Sequence, residues 1–295
     1  MTDRVFVQIP AYRDRELLPT LESLFGNAGR PERLRVVLAW QYAPEEAHLE
    51  PALARWKNLE LLKLSAAESQ GCNWARRQVQ ERWAGERYTL FLDSHHRFVP
   101  GWDVMAINML ESRRAAGSPK PILTGYLPPY DPKRDPANRG QYIFDMRAAE
   151  RRRGLLFRLA GDPVPDWCAL HAPLPARFVS LHFLLADGSL NEELAIDASI
   201  YFFVDEIAMA LRAYTRGYDL FHPHRILGWH LYDRATRVPH WEDNRDSSQR
   251  FEITHKRIQA LYAGRWRGCY GLGEARSASD YERLIGDRLA LAGES

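Results

Sequence analysis

The chain has 295 residues, of which 45% are hydrophobic and 26% are charged. These fractions are ordinary for a folded soluble protein, and the length suits one large α/β domain or one domain with an appendage. The formal net charge of +2 at pH 7 is too small to indicate a nucleic acid or another polyanion as partner.

Apolar strand patterns alternate with helical patterns at the start of the chain. Strands are predicted at residues 5–9, 34–40, 59–64 and 88–92. Helices are predicted at residues 16–25, 44–56 and 73–83, and Asn73 is a candidate cap for the last of these. This alternation predicts a mainly parallel sheet with helices on both faces. Ligands bind beyond the carboxyl ends of the strands in such sheets, so a site is expected directly after these strands.

The rest of the chain is less regular. Residues 118–135 are rich in Pro and Gly and predict a connection around one short strand at 122–124. The elements expected after it are strands at 178–185 and 218–221, and helices at 205–214, near 247–261 and near 279–285. Arg147 and the three arginines at 151–153 predict a solvated helix face, and a docking surface for an acidic partner is the less favoured interpretation.

The cysteines and the apolar runs bear on the cellular compartment. Cys72, Cys168 and Cys269 are far apart and lack CxxC spacing, which argues against a disulfide framework and a structural zinc site. No apolar run is long enough to span a bilayer. A strand pattern begins at Val5 with no signal peptide before it, so the expected location is the cytoplasm.

The sharpest chemical motif follows the fourth predicted strand, where the chain reads Asp93-Ser94-His95-His96. Residues i and i+2 of an extended segment point to the same side, so Asp93 and His95 can face one ion together. A carboxylate oxygen and an imidazole nitrogen suit Mn²⁺ or a similar divalent ion, with Mg²⁺ as the alternative, and such an ion can neutralise a departing diphosphate. The alternative is an aspartate that caps the loop beside a surface histidine.

A pair of acids, Asp205 and Glu206, opens the helix predicted after the apolar run at 201–204. Acids in a first helical turn stabilise the helix dipole by ~0.3–1 kcal/mol each, which accounts comfortably for one of the two. A second carboxylate near a metal and a sugar can stabilise an oxocarbenium-like transition state or orient an acceptor hydroxyl.

Three later histidines are candidates for a third metal ligand. His222 and His224 lie in one short segment, and His230 lies in the segment Trp229-His230-Leu231-Tyr232. We prefer His230, with His222 and His224 as alternatives, although any one of them alone is more often structural.

In this order, these segments resemble the GlcNAc-transferases that modify hydroxyproline in polypeptides, and in particular the bacterial members of that family. The resemblance covers nearly the whole chain. The segments that carry it are Ile9-Pro10-Ala11-Tyr12-Arg13-Asp14, Trp40-Gln41-Tyr42, Gly71-Cys72-Asn73-Trp74-Ala75-Arg76, residues 88–98 with Asp-Ser-His, residues 202–219, Trp229-His230-Leu231-Tyr232-Asp233-Arg234, and residues 270–281.

The resemblance implies one GT-A glycosyltransferase domain over residues 1–295. Residues 1–117 would bind the nucleotide sugar, residues 118–240 would carry the acceptor and catalytic half, and residues 241–295 would form a helical tail packed on it. The implied reaction is the metal-dependent transfer of a hexosyl group, with GlcNAc as first choice, from UDP to a hydroxyl of a polypeptide or small molecule, with retention of anomeric configuration.

By position, the resemblance also assigns roles to residues. Asp93, His95 and His230 would hold the metal, and Asp205 and Glu206 would lie beside the sugar and acceptor. The implied donor-binding residues are Pro10, Ala11, Tyr12, Arg13, Asp14, Asn73, Arg76, Asp93 and Ser94. Many relatives have Gly-Glu-Glu at positions 204–206, where this chain has Val-Asp-Glu, and residues 118–137 show no match to the family.

Other functions remain as alternatives. The same fold could use another UDP-hexose and a small molecule, a peptide natural product or a glycan as acceptor. A catalytically silent relative would only bind a nucleotide sugar or a protein. A metallohydrolase is the weakest alternative, because the histidines lie on separate segments without H-E-x-x-H spacing.

Overall fold

The structure is a computed structural model that describes residues 2–234 and 237–291. Its strands, within those ranges, are β1 (Thr2–Tyr12), β2 (Leu34–Tyr42), β3 (Leu59–Ser65), β4 (Glu86–Leu92), β5 (His96–Phe98), β6 (Pro121–Thr124), β7 (Phe144–Arg152), β8 (Leu155–Pro163), β9 (Leu174–Pro175), β10 (Phe183–Asp187), β11 (Asp219–His222) and β12 (Gly228–His230). Its α-helices are α1 (Leu17–Gly26), α2 (Glu50–Leu53), α3 (Cys72–Gln80), α4 (Trp102–Ala115), α5 (Leu190–Glu193), α6 (Asp205–Thr215), α7 (His240–Asp243), α8 (Ser247–Tyr262) and α9 (Ala278–Ile285).

Eight strands form one central sheet in the order β3-β2-β1-β4-β10-β6-β11-β9. The first four are mutually parallel, as the strand and helix alternation predicted. β10 lies antiparallel between β4 and β6, and β11 is again parallel to β6. Strands from both halves of the chain therefore share a sheet, and the predicted α/β class is confirmed.

The alternation of side chains along β1 explains how both faces of the sheet are covered. Val5, Val7 and Ile9 pack with α1 and α4 on one face, whereas Phe6 packs with α3 on the other. A strand buried on both faces reads as a nearly continuous apolar run. The exception is Gln8, whose side-chain Nε2 donates to Thr89 Oγ1 and Asn191 Oδ1, 2.8 and 2.9 Å away.

The second half of the chain forms a further core around α6. This core also contains α8, α9 and an antiparallel hairpin of β7 and β8. The predicted helix face at Arg147 and 151–153 is therefore wrong, because Arg147 and Arg152 lie on β7. Arg-rich sequence is compatible with a helix, but pairing with the apolar strand β8 and burial of Leu155, Leu156 and Phe157 decide the conformation.

Several predicted boundaries also change. The helix expected at 44–56 is a 3-10 segment, Pro44–Leu49, followed by the short α2. The strand expected at 178–185 begins only at Phe183. Asn73 does not cap α3, because Gly71 occupies the cap position with a φ of 110°, close against the ring of Tyr201. None of the described helices is long and apolar enough to cross a membrane.

Candidate active site

A cavity of about 280 Å³ opens at the carboxyl ends of β1, β2 and β4, where parallel sheets bind ligands. Its walls also include the start of α6 and the segment that leads into α7. The predicted acids Asp205 and Glu206 and the predicted metal ligands Asp93, His95 and His230 all line this one cavity. The described structure thus brings together residues that lie up to 137 positions apart in the sequence.

Two elements place the three candidate metal ligands. Asp93 and His95 follow β4, as the sequence predicts. His230 ends β12, which pairs with β5 in antiparallel register so that His230 lies opposite His96. Ligand atoms of Asp93, His95 and His230 lie within 4.8 Å of one another.

The chemistry of this cluster fits a divalent cation. Asp93 Oδ2 lies 3.5 Å from His230 Nε2 and 3.8 Å from His95 Nε2. Both Nε2 atoms are buried and have no hydrogen-bond partner among the described residues. Two unpartnered imidazole nitrogens that converge on one carboxylate form a donor set suited to Mn²⁺ and similar ions, so these residues can hold a metal.

Electrostatics keep Asp93 and His230 in the protonation states that metal binding requires. Burial by itself raises the pKa of Asp93, but nearby His230 and the Arg76 guanidinium outweigh it and hold the pKa well below its ordinary value. Burial lowers the pKa of His230 well below its ordinary value, against the opposing effect of Asp93. An ionised carboxylate and a neutral imidazole are the metal-binding forms.

Asp14 orients one of the ligands. Its Oδ2 lies 2.7 Å from His95 Nδ1 and accepts a hydrogen bond from Ser94 Oγ at 2.6 Å. The proton of His95 therefore lies on Nδ1, and Nε2 is free to face Asp93. Carboxylates commonly fix metal-binding histidines in this way.

Arg76, a predicted donor-binding residue, bridges two carboxylates. Its side chain donates to Asp93 Oδ1 at 2.8 Å and to Asp205 Oδ2 at 3.3 Å. Asn73 donates to the same oxygen of Asp205 at 3.1 Å. Burial raises the pKa of Asp205 against the opposing charge of Arg76.

Both carboxylate oxygens of Glu206 accept hydrogen bonds. Its Oε1 accepts hydrogen bonds from Ser180 Oγ at 2.8 Å and from the Leu181 amide at 2.9 Å, and its Oε2 accepts one from Tyr126 Oη at 3.0 Å. Burial, with a smaller contribution from Asp205, raises the pKa of Glu206 to about 7. A carboxyl group with such a pKa can exchange a proton near neutral pH.

The predicted donor-binding residues divide into two groups. Those that line the cavity are Pro10, Tyr12, Asp14, Arg76, Asp93 and Ser94. Three others lie outside its lining: Ala11 is buried in the core, Asn73 bonds to Ile200 and Asp205, and Arg13 forms ion pairs with Glu45 and Asp243 at 3.0 and 2.6 Å.

The alternatives for the third metal ligand lie elsewhere. His222 Nδ1 lies 2.9 Å from the Thr124 carbonyl oxygen, and its Nε2 faces the Met146 amide. Neither His222 nor His224 lines the cavity.

Sequence reasoning missed several residues of the cavity. These are Gln41, His182, Phe202, Phe203, Tyr232, His240 and Trp241, among others. Part of this wall was visible as the aromatic run at 201–203. His182 had no sequence signal, because it falls within a segment that reads as an apolar strand.

Comparisons with known proteins agree with this fold. The family model described as Glycosyltransferase (GlcNAc) matches residues 4–55 and 49–287. No curated protein matches the chain.

Several solved structures have the same fold. S. aureus TarS 1–349 has a TM-score of 0.58 at 10% sequence identity, over 96% of this chain and 69% of that one. The same TarS fragment in complex with UDP-GlcNAc has a TM-score of 0.57 at 11% identity, over 96% and 70%. GalNAc-T7 with UDP, GalNAc and Mn²⁺ has a TM-score of 0.60 at 12% identity, and the match covers 97% of this chain but only 55% of that one.

Because these identities are low, the likeness to solved structures bears on the fold alone. For the fold, it confirms the expected GT-A type. The family match spans most of the chain and is independent of that likeness. The chain therefore belongs to the GlcNAc glycosyltransferase family.

Proposed function

We propose that this protein transfers a hexosyl group, with GlcNAc as first candidate, from a UDP-sugar to an acceptor hydroxyl. The observation that carries the proposal is the convergence of Asp93, His95 and His230 beside Asp205 and Glu206 in one cavity. A diphosphate needs a cation, and a sugar that loses its leaving group needs negative charge nearby. The cavity offers residues for both.

The compared structures support this choice of donor and metal. One neighbour was solved with UDP-GlcNAc, and another with UDP, GalNAc and Mn²⁺. Mn²⁺ is accordingly the proposed ion, with Mg²⁺ as the alternative. When bound, such an ion supplies a Lewis acid that neutralises the charge on the departing diphosphate.

The protein side chains orient a metal ligand and place charge around the reacting groups. Asp14 holds His95 in the metal-binding tautomer, and Arg76 adds a positive charge beside Asp93, where a diphosphate would be bound. Asp205 and Glu206 place negative charge where an oxocarbenium-like transition state would form. We further propose retention of configuration, with the acceptor attacking from the face that UDP leaves.

The acceptor proposed first is a polypeptide hydroxyl, that of hydroxyproline, and the location proposed is the cytoplasm. Small molecules, peptide natural products and glycans are the other acceptors to be tested.

One assay tests donor and metal together. Purified protein is incubated without acceptor with a panel of UDP-sugars and Mn²⁺, and release of UDP is measured. We expect slow hydrolysis of one sugar, its loss after EDTA treatment and its return with Mn²⁺. Full activity after exhaustive EDTA treatment, with metal content verified, would overturn the metal role, and no hydrolysis or binding of any UDP-sugar would overturn the donor.

The histidines allow a second prediction. We expect His230→Ala to weaken Mn²⁺ binding far more than His222→Ala, because His230, unlike His222, directs a free nitrogen at Asp93. His222→Ala is a matched control, since both histidines are buried. Calorimetric Mn²⁺ titration of the two variants checks this, and dominance of His222 would mean that the third ligand is misassigned.

A further inference from the structure

His182 is a buried histidine that stacks on a candidate metal ligand. It lies just before β10 and is 5% exposed. Its ring is nearly parallel to that of His230, with a centroid separation of 4.0 Å and an interplanar angle of 10°. No other pair of rings that involves His230 among the described residues is so close or so parallel.

Both ring nitrogens of His182 already have partners. The Leu127 backbone amide donates to Nε2 at 3.1 Å, so the ring proton lies on Nδ1. Nδ1 lies 3.0 Å from Ser180 Oγ, which donates in turn to Glu206 Oε1. His182 therefore has no free nitrogen for a metal or a substrate, and two hydrogen bonds hold the plane of its ring.

The two histidines of the metal cluster differ in how they are oriented. His95 is fixed by a hydrogen bond from Nδ1 to Asp14. His230 has no such bond, because neither of its ring nitrogens has a hydrogen-bond partner among the described residues. Metal-binding histidines usually need an outer partner to fix the ring. The ring nearest to His230, and therefore the group placed to orient it, is the stacked ring of His182.

We propose that His182 is a positioning residue that fixes the ring plane of His230 by stacking. Through Ser180 it also joins this ring to Glu206, so that the metal ligand and the acid keep one relative position. This inference rests on the metal role proposed above.

Two variants isolate the stack. His182→Phe and His182→Leu both lose the hydrogen bonds to the Leu127 amide and to Ser180, and only Phe keeps a flat ring against His230. Mn²⁺ dissociation constants are measured by calorimetry on the full chain, with folding checked by circular dichroism. We expect His182→Leu to weaken Mn²⁺ binding by about 10-fold or more, the loss typical of outer partners of metal ligands, and His182→Phe to bind close to wild type.

Ser180→Ala tests the hydrogen-bonded link from His182 through Ser180 to Glu206. This variant keeps the ring of His182 and removes the link to Glu206, so we expect unchanged Mn²⁺ affinity, an unchanged KM for the donor and a lower kcat.

The outcomes separate this inference from the proposed function. If wild-type protein binds no Mn²⁺, the metal role fails and the inference fails with it. If wild-type protein binds Mn²⁺ and the Leu and Phe variants bind it equally, only the role of the stack is overturned. Loss of Mn²⁺ affinity in Ser180→Ala would contradict the expectation that stacking holds His230 even without the hydrogen bond between His182 and Ser180.

Discussion

Replacing Asp93 with asparagine is expected to abolish transfer while leaving the protein folded. Asp93 is the carboxylate on which the free nitrogens of His95 and His230 converge. Metal ions contribute several kcal/mol of transition-state stabilisation, so loss of the ion corresponds to a rate reduction of at least about 10²-fold. Single-turnover rates and Mn²⁺ titration of the variant measure both effects.

Comparison of the asparagine variant with a control shows whether Asp93 acts in the site or only stabilises the fold. Asp103 offers a control of the same residue type, because it accepts hydrogen bonds from the Gly29 and Arg30 amides and lies away from the cavity. We expect Asp103→Asn to lower the melting temperature and to keep the turnover of the folded fraction. An Asp93→Asn protein that unfolds, or that melts lower yet turns over normally, would support a loop-capping role instead.

Substitution of the two acids at the start of α6 is expected to have the second large effect on the transfer rate. We expect Glu206→Gln and Asp205→Asn to leave donor binding nearly intact and to lower the transfer rate by ~10²–10⁴-fold. The reason is that a carboxylate interacts weakly with a neutral sugar and strongly with an oxocarbenium-like one, and only the latter difference raises turnover. Calorimetry of donor binding and single-turnover rates test this.

The pH profile provides a further test for Glu206. Its pKa is raised to about 7, and the ionised form is the one proposed to act. The transfer rate should therefore increase with pH, with an inflection near 7 or below it, because the charge of a bound cation favours ionisation. This ascending limb should be lost in Glu206→Gln, and a variant that keeps it would contradict the assignment.

Stability measurements distinguish catalysis from helix stabilisation. Because the folded-state pKa of Glu206 is raised, its ionisation opposes folding, and stability is lost as pH rises from about 4.5 to 7. Glu206→Gln should thus be neutral or stabilising at pH 8. A residue that only complements the helix dipole would instead lose ~0.3–1 kcal/mol on substitution and keep normal turnover. Asp103 also lies in a first helical turn, so Asp103→Asn is the control for a substitution that lowers stability and keeps normal turnover.

The sequence alone determined the parallel half of the sheet and the position of Asp93 and His95. A strand buried on both faces must be almost entirely apolar, and the period of two along extended chain places residues 93 and 95 on one side. These are local properties, so neighbouring residues are sufficient to reveal them. The pair of acids at 205 and 206 was visible at a predicted helix start for the same reason, whereas their proposed place beside the sugar came from the family resemblance.

The sequence favoured His230 among three candidate histidines, but only the tertiary structure decided that it joins the cluster and what supports it. His230 reaches Asp93 because β12 pairs with β5, which places His230 opposite His96, 134 positions earlier in the chain. His222 is held by the Thr124 carbonyl oxygen instead. The stack of His182 and the hairpin of β7 and β8 arise in the same way. Such contacts depend on which distant surfaces bury each other, and local propensity carries no information about that choice.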